Sequence, residues 1–382
     1  MQNRIHLSIA HLSGQEQAFI QEAFDTNWIT TVGHNLDAFE KDLEDFLTNN
    51  SHVLALDSGT SSLHLALILL GVGENDEVLC QDFTYAASAN PIFYQRAKPV
   101  FIDSEQDTWN MSPEHLERAI KDRIRRGTKP KAILPVHLYG MPARMDEIQQ
   151  LGKIYEIPVL EDSAEALGSV YKGIHCGTFG ELGVLSFNGN KIITTSGGGG
   201  LVSKNEDYIK QARFLATQAR DLAPHYQHSS IGYNYRMSNI LAGIGRGQMV
   251  VLSERINQRR NNNQFYRNQL SDMEGIRFQT EPSDDFYSNY WLTTIIIDPR
   301  KTHGITCEDL RLALEKANIE SRPLWKPMHL QPVFQDCSYY GDGTSEALFE
   351  QGLCLPSGSI LAEEDLAKVV EVIRNTICKS FS

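Results

Sequence analysis

The 382-residue chain is missing most of the features that assign a protein quickly. Its six cysteines, Cys80, Cys176, Cys307, Cys337, Cys354 and Cys378, are scattered, with no CxxC pair and no close His/Cys cluster. That spacing speaks against a zinc site and against a disulfide framework. No run approaches the ~18 apolar residues of a membrane span, so none is expected. Met1–Ala10 carries Arg4 and His6 and no apolar core, so no signal peptide is expected and a cytoplasmic protein is. Positive charge is in deficit: 35 Lys and Arg against 48 Asp and Glu leave a net charge of −13. A nucleic-acid partner is not expected from that balance, whereas an anionic small substrate is unaffected by it, because pockets are locally charged. Gly59 is followed by no Gly-Lys-Ser/Thr and by no GxGxxG spacing, which removes the Walker and dinucleotide loops. Internal repeats and low-complexity tracts are absent as well.

What is present is an ordinary globular composition, 41% hydrophobic and 22% charged, in a chain long enough for two domains. Short apolar runs alternate with amphipathic ones. Val53–Leu56, Val78–Cys80, Pro99–Ile102, Ala132–Val136 and Pro158–Leu160 read as strands. Leu63–Leu70, Thr84–Gln95, Ser112–Ile124 and Met145–Tyr155 read as the helices between them. Repeated βα units predict an α/β fold with a mostly parallel central sheet and helices on both faces. Two further amphipathic helices are expected in Gly14–Leu47, around a turn at Thr26–Gly33. Trp28 in that turn is a packing anchor or part of a pocket wall. Ile240–Glu254 reads as a helix despite Gly243, Gly245 and Gly247, each costing about 1 kcal/mol against Ala, for which close helix packing is one justification. The charged helix Glu254–Leu270 predicts a connector. The division is therefore 1–253, a large α/β domain, and 254–382, a smaller α+β domain.

Four segments carry chemistry. Ser186–Gly200 (SFNGNKIITTSGGGG) delivers Lys191 after an apolar strand and follows it with four glycines, which let the backbone approach a bulky ligand or adopt positive φ. A lysine is by default a solvated surface charge; one used as an amine needs burial or a neighbouring cation to lower its pKa. Asp57–Ser62 (DSGTSS) lies between a strand and a helix, where free N–H groups and hydroxyls form an anion site or simply an N-cap. Asp162 sits at the end of a predicted strand, where open α/β sheets bind ligands, or caps the next helix. The loop Ser321–Pro332 (SRPLWKPMHLQP) is a substrate-contacting segment or a rigid connector. A phosphorylated pyridine aldehyde needs a lysine for a Schiff base and a carboxylate on its ring nitrogen. It also needs an aromatic on its ring face, here Tyr85, and N–H groups and hydroxyls on its phosphate.

In that company the chain resembles the sugar aminotransferases of the DegT/DnrJ/EryC/StrS family over nearly its whole length. The motifs are Trp28-Ile29-Thr30-Thr31, Ser58-Gly59-Thr60, Phe83-Thr84-Tyr85, Pro135–Gly140 (PVHLYG), Glu161–Glu165 (EDSAE), Ser186–Lys191 (SFNGNK) and Gly232–Arg236 (GYNYR). The resemblance implies the aspartate aminotransferase fold and pyridoxal 5'-phosphate as cofactor. It implies that Lys191 is the Schiff-base lysine and proton carrier, and that Asp162 pairs with the ring nitrogen. Glu165 would approach the ring hydroxyl, where many relatives carry Gln or His. Gly59, Thr60, Ser61, Ser186 and Asn188 would hold the cofactor, with Tyr85 over the ring and Phe83 as the fallback. Asn234 would reach the cofactor phosphate of the neighbouring subunit in a homodimer with shared sites. Thr30, Arg236 and His329 would meet substrate.

The donor implied is L-glutamate. The acceptor implied is C4 of a nucleotide-linked 4-keto-6-deoxy sugar, first the UDP-linked N-acetyl sugar that gives UDP-4-amino-4,6-dideoxy-N-acetylglucosamine, as in bacillosamine-pathway and exopolysaccharide-cluster relatives. A GDP-perosamine synthase acting on GDP-4-keto-6-deoxymannose is the sister alternative. Relatives that deoxygenate C3 replace the lysine with histidine, which Lys191 argues against. A non-catalytic cofactor-binding regulator lacks support, since neither a helix-turn-helix appendage nor a basic patch is present.

Overall fold

The computed structural model describes residues 4–378; Met1–Asn3 of the N-terminal stretch and residues 379–382 lie outside the described residues. Two four-stranded sheets meet to make the large layer. One has the order Ser338–Tyr340, Lys98–Ile102, Glu77–Gln81, Ala132–Leu134, all parallel. The other has the order Leu160–Asp162, Leu182–Ser186, Gly199–Ser203, His52–Leu56, in which Gly199–Ser203 runs against its neighbours. Parallel bridges Ile133↔Val159 and Val136↔Asp162 join them. The strand ends therefore open on one side of the layer, at Asp82, Asp103, Asp162 and Ser186. The strands are buried nearly throughout, as a parallel sheet covered on both faces requires.

Sequence and structure agree on most elements and differ at informative places. Glu16–Asp25 and His34–Leu47 are the two N-terminal helices. The segment expected as the helix Thr84–Gln95 instead makes a 3-10 turn, Ala86–Ser88, and a short helix, Asn90–Tyr94, with Pro91 in its first turn. Proline there lacks an N–H to continue a helix arriving from Thr84, so the segment restarts. Asp162 is the last residue of its strand, Leu160–Asp162, rather than the second residue beyond a strand ending at Leu160.

The glycine-rich helix Asn239–Met249 ends at Val250, and a second, Leu252–Leu270, follows. A Cβ on Gly245 would sit 2.6 Å from the Phe39 ring. The helix thus lies directly on Glu16–Asp25 and His34–Leu47, which is the close packing that offsets the glycine cost.

A second, antiparallel sheet has the order Ile276–Phe278, Thr293–Ile297, Gly352–Leu355, Arg322–Pro323. With helices Cys307–Lys316 and Glu363–Cys378 it buries its own apolar core. Thr306 and Asp309 cap the first of these helices reciprocally. Among the described residues, segments cross the division read at residue 253, and Phe286–Tyr287 does so by pairing with Val170–Tyr171. Ile5 pairs with Ile319 and packs in the second core. Ser338–Tyr340 adds a parallel strand to the edge of the large sheet. No helix among the described residues is long and apolar enough to cross a membrane.

Candidate active site

A cavity of about 500 Å³ opens where the strands Leu160–Asp162 and Leu182–Ser186 end. Its floor at one end is the N-terminus of helix Gly59–Leu69. Ser58 caps that helix by accepting the Ser61 N–H at 3.1 Å, which leaves the first-turn N–H groups of Gly59 and Thr60 at the cavity wall. Ser186 faces the same end. The glycine run follows from this turn. A Cβ on Gly199 would lie 2.3 Å from the Ser58 carbonyl carbon, so the strand Gly199–Ser203 reaches the capping turn only without a side chain. None of Gly197–Gly200 has positive φ, so close backbone approach, and not a left-handed turn, is what these glycines supply.

At the other end stands Asp162. Its carboxylate accepts Ser88 Oγ at 2.7 Å and the Ala164 N–H at 3.1 Å, so it is aimed and its charge is supported. Its neighbour Glu161 points to the opposite face of the strand. There it accepts the N–H groups of Gly177, Phe179 and Gly180 and pairs with buried His137 at 2.9 Å. Since His137 Nδ1 accepts the Ala143 N–H, its Nε2 carries the proton donated to Glu161, and the pair is scaffold.

Lys191 lies between the two ends, its side chain 14% exposed. Its Nζ is 3.7 Å from Glu165 Oε1 and 4.1 Å from the centroid of the Trp291 ring. Trp291 is pinned in turn by its Nε1–H to the Asn190 carbonyl at 2.7 Å. Glu165 is buried and accepts the Tyr139 N–H at 2.6 Å. Burial pushes its carboxyl above the usual carboxylate range, against the opposing pull of Lys191.

Of the residues expected at the site, Gly59, Thr60, Tyr85, Asp162, Glu165, Ser186, Asn188 and Lys191 line this one cavity. Ser61 is one layer behind, its N–H and hydroxyl both on Ser58. Tyr85 takes the wall position and packs against Trp325 at 5.0 Å. Phe83 is fully buried among Trp109, Tyr139 and Trp291, which removes it as the alternative.

Four expected contacts are not brought to the cavity by this chain. Thr30 is exposed, and its carbonyl accepts the Asn239 N–H. Asn234 is exposed in a bridge with Thr217. Arg236 turns inward, where burial leaves it to pair with Glu40 and the Ala55 carbonyl rather than with a ligand. His329 is held between Asp82 and Glu346.

Ser88 and Trp291 are parts of this wall that the sequence does not point to, whereas Trp325 belongs to the loop Ser321–Pro332 read above as substrate-contacting or connecting. Ser88 sits inside a segment that reads as helix and Trp291 inside one that reads as the strand Tyr290–Ile297, which the structure begins only at Thr293, and neither position has a local signature.

A second cavity, of about 560 Å³, adjoins the first and shares Tyr85, Trp291 and Trp325 with it. Arg322 and Lys326 bring positive charge to its lining, and Glu320 a carboxylate. The fit to pyridoxal phosphate rests on the first cavity. A capped helix N-terminus with hydroxyls suits a phosphate, a supported carboxylate suits a protonated ring nitrogen, and a largely buried amine lies between them.

The model of the DegT/DnrJ/EryC1/StrS aminotransferase family matches residues 11–374. The chain is 52% identical to the Bacillus subtilis protein EpsN, assigned by name to the pyridoxal phosphate-dependent aminotransferases, over 98% of this chain and 96% of that one. It is 36% identical to a GDP-perosamine synthase of Escherichia coli O157:H7, over 95% of each. The crystal structure of a family aminotransferase from Brucella abortus superposes with a TM-score of 0.87 at 28% identity, covering 95% of both chains.

Proposed function

The chain belongs to the DegT/DnrJ/EryC1/StrS aminotransferase family and is a pyridoxal phosphate-dependent sugar aminotransferase; from that premise we propose that it transfers the amino group of L-glutamate to C4 of a UDP-linked 4-keto-6-deoxy N-acetyl sugar. The product is then UDP-4-amino-4,6-dideoxy-N-acetylglucosamine. The observation that carries the reading is Lys191, a largely buried amine in one cavity with Asp162 and the Ser58-capped helix N-terminus.

Bound there, pyridoxal phosphate supplies an electron sink for the carbon that loses a proton. Gly59, Thr60 and Ser186 hold its phosphate. Asp162, fixed by Ser88 and the Ala164 N–H, holds its ring nitrogen in the protonated form. Glu165, whose carboxyl burial pushes above its ordinary value, would meet the ring hydroxyl. Lys191 Nζ is the general base that takes the proton from the amino donor and the general acid that returns it. Trp291 covers Lys191 from one side, shields it from water and gives its ammonium form a π-face to rest on when it carries that proton. The adjoining cavity, with Arg322, Lys326 and Trp325, takes the nucleotide end of the substrate.

The working unit is a homodimer with shared sites. Trp28, Ile29 and Val32, each about half exposed, and the largely exposed Tyr226 and Ile231 on the segment before Asn234 support it, as large apolar side chains left exposed in one chain.

The test is an amination assay with L-glutamate and a panel of 4-keto-6-deoxy sugar nucleotides, read by product mass. Turnover of the UDP-N-acetyl sugar alone supports the reading. Turnover of the GDP sugar instead moves the enzyme to perosamine synthesis, the reading that the 36% likeness favours. Lys191→Ala is expected to lower turnover at least about 10⁴-fold. A holoprotein that aminates nothing, with a visible spectrum that glutamate leaves unchanged, overturns it in favour of a cofactor-binding regulator.

A further inference from the structure

Two more carboxylates end strands of the large sheet, and neither faces the cavities. Asp82, after Glu77–Gln81, is fully buried. Its Oδ1 accepts the His329 backbone N–H at 2.9 Å, and its Oδ2 accepts His329 Nδ1 and Ser345 Oγ, both at 2.8 Å. Its carbonyl accepts the Met328 N–H at 2.9 Å. Asp103, after Lys98–Ile102, accepts the successive N–H groups of Asp342, Gly343, Thr344 and Ser345, and thereby fixes the start of helix Thr344–Gln351. That helix carries Glu346, whose Oε1 lies 3.2 Å from His329 Nε2. Tyr339 closes the face of the imidazole, its ring 4.0 Å away, and its hydroxyl donates to Asp103 at 2.6 Å.

Both ring nitrogens of His329 thus face carboxylates. A neutral imidazole has one N–H and one lone pair, and the lone pair would point at an anion. Only the imidazolium satisfies both partners. The groups that face it are Asp82 from the sheet, Glu346 from the helix and Tyr339 from the edge strand, with Asp103 behind Tyr339. No cation among these opposes its charge.

The segment so held lines the second cavity through Arg322, Trp325, Lys326, Met328 and Gln331, and Trp325 lines the first as well. We propose that His329 is a positioning residue: as an imidazolium clamped between Asp82 and Glu346 it fixes residues 322–332 against the sheet, and its deprotonation frees that wall of the cleft. The consequence for substrate rests on the function proposed above; the clamp itself does not. His329 titrates above its ordinary value because the two carboxylates outweigh its burial. A raised folded pKa means that the clamp is complete below the ordinary histidine value and is lost as pH rises through the raised one.

The experiment is hydrogen exchange of the holoprotein, read for peptides within 322–332 between pH 6 and 10 and corrected for intrinsic rates. In the wild type, protection is expected to fall on a one-proton curve. Glu346→Gln, on a half-exposed side chain, is expected to move that curve about one pH unit lower. His329→Asn is expected to leave the segment unprotected at every pH while helix Gly59–Leu69 exchanges as before. In the amination assay at pH 8.5, Glu346→Gln is expected to raise KM for the sugar nucleotide about tenfold with kcat within about twofold, the split of lost uniform binding. Protection independent of pH in the wild type, or an unshifted curve in Glu346→Gln, overturns the clamp. An inactive holoprotein with the expected exchange curves would instead count against the amination reading alone.

Discussion

The large sheet ends in carboxylates on both of its halves, and the two sets have opposite occupations. Asp162 and, three residues on, Glu165 open onto a cavity, with Lys191 near Glu165 and a helix N-terminus beyond. Asp82 and Asp103 occupy the same topological position two and three strands away and are saturated by N–H and O–H donors from residues 328–345. The residue types and strand-end placement are the same; what covers them is not. Where the C-terminal part of the chain folds over the sheet, the carboxylates become anchors. Where it stops short, they stay available to a ligand. Strand-end position therefore nominates a residue for chemistry, and the covering segment decides.

That contrast is sharpest in turnover. Asp162→Asn is expected to lower kcat/KM about 10²-fold or more, with little loss of stability, because its charge is needed at the reacting group rather than for the fold. Steady-state amination alongside a urea melt separates the two effects. Asp82→Asn should reverse the pattern. It leaves the imidazolium and Ser345 with a neutral partner in a buried place, so about 3 kcal/mol of stability is expected to go, read as a lower urea midpoint at unchanged m.

A smaller effect distinguishes the two kinds of buried acid. Glu165 has a folded pKa above its unfolded one, so between the two the folded state binds more protons, and stability falls as pH rises through that window. Asp103 is held down to about 2 by its donors, so its contribution is present at neutral pH and disappears as pH falls from the usual carboxylate range toward that value. Glu165→Gln is expected to flatten the fall in stability of the cofactor-free protein above about pH 4.5, measured by urea melts at successive pH values. A slope identical to wild type would mean that Glu165 is ionised at no cost in its place beside Lys191.

Much of the cavity was legible along the chain. Gly59, Thr60, Asp162, Ser186 and Lys191 each follow a strand or open a helix, and periodicity locates strands and helices well. The partners that aim them were not legible. Ser88 reaches Asp162 across 74 residues, and Trp291 lies 100 positions from Lys191. Such contacts leave no spacing to read. Arg236 and His329 show the limit from the other side: a charged or titratable residue in a promising motif has no direction until its neighbours are packed. Arg236 turned to Glu40, and His329 to Asp82.

By itself the sequence determined the layers of this protein, because the alternation of apolar runs and amphipathic helices admits little besides a covered, mostly parallel sheet. It also determined the chemical inventory at the strand ends, one lysine and the acids around it. Only the tertiary structure decided which acids face a cavity and which are consumed as anchors. Burial, hydrogen-bond partners and pKa belong to the groups brought together from distant segments, and a side chain's chemistry is set by that company.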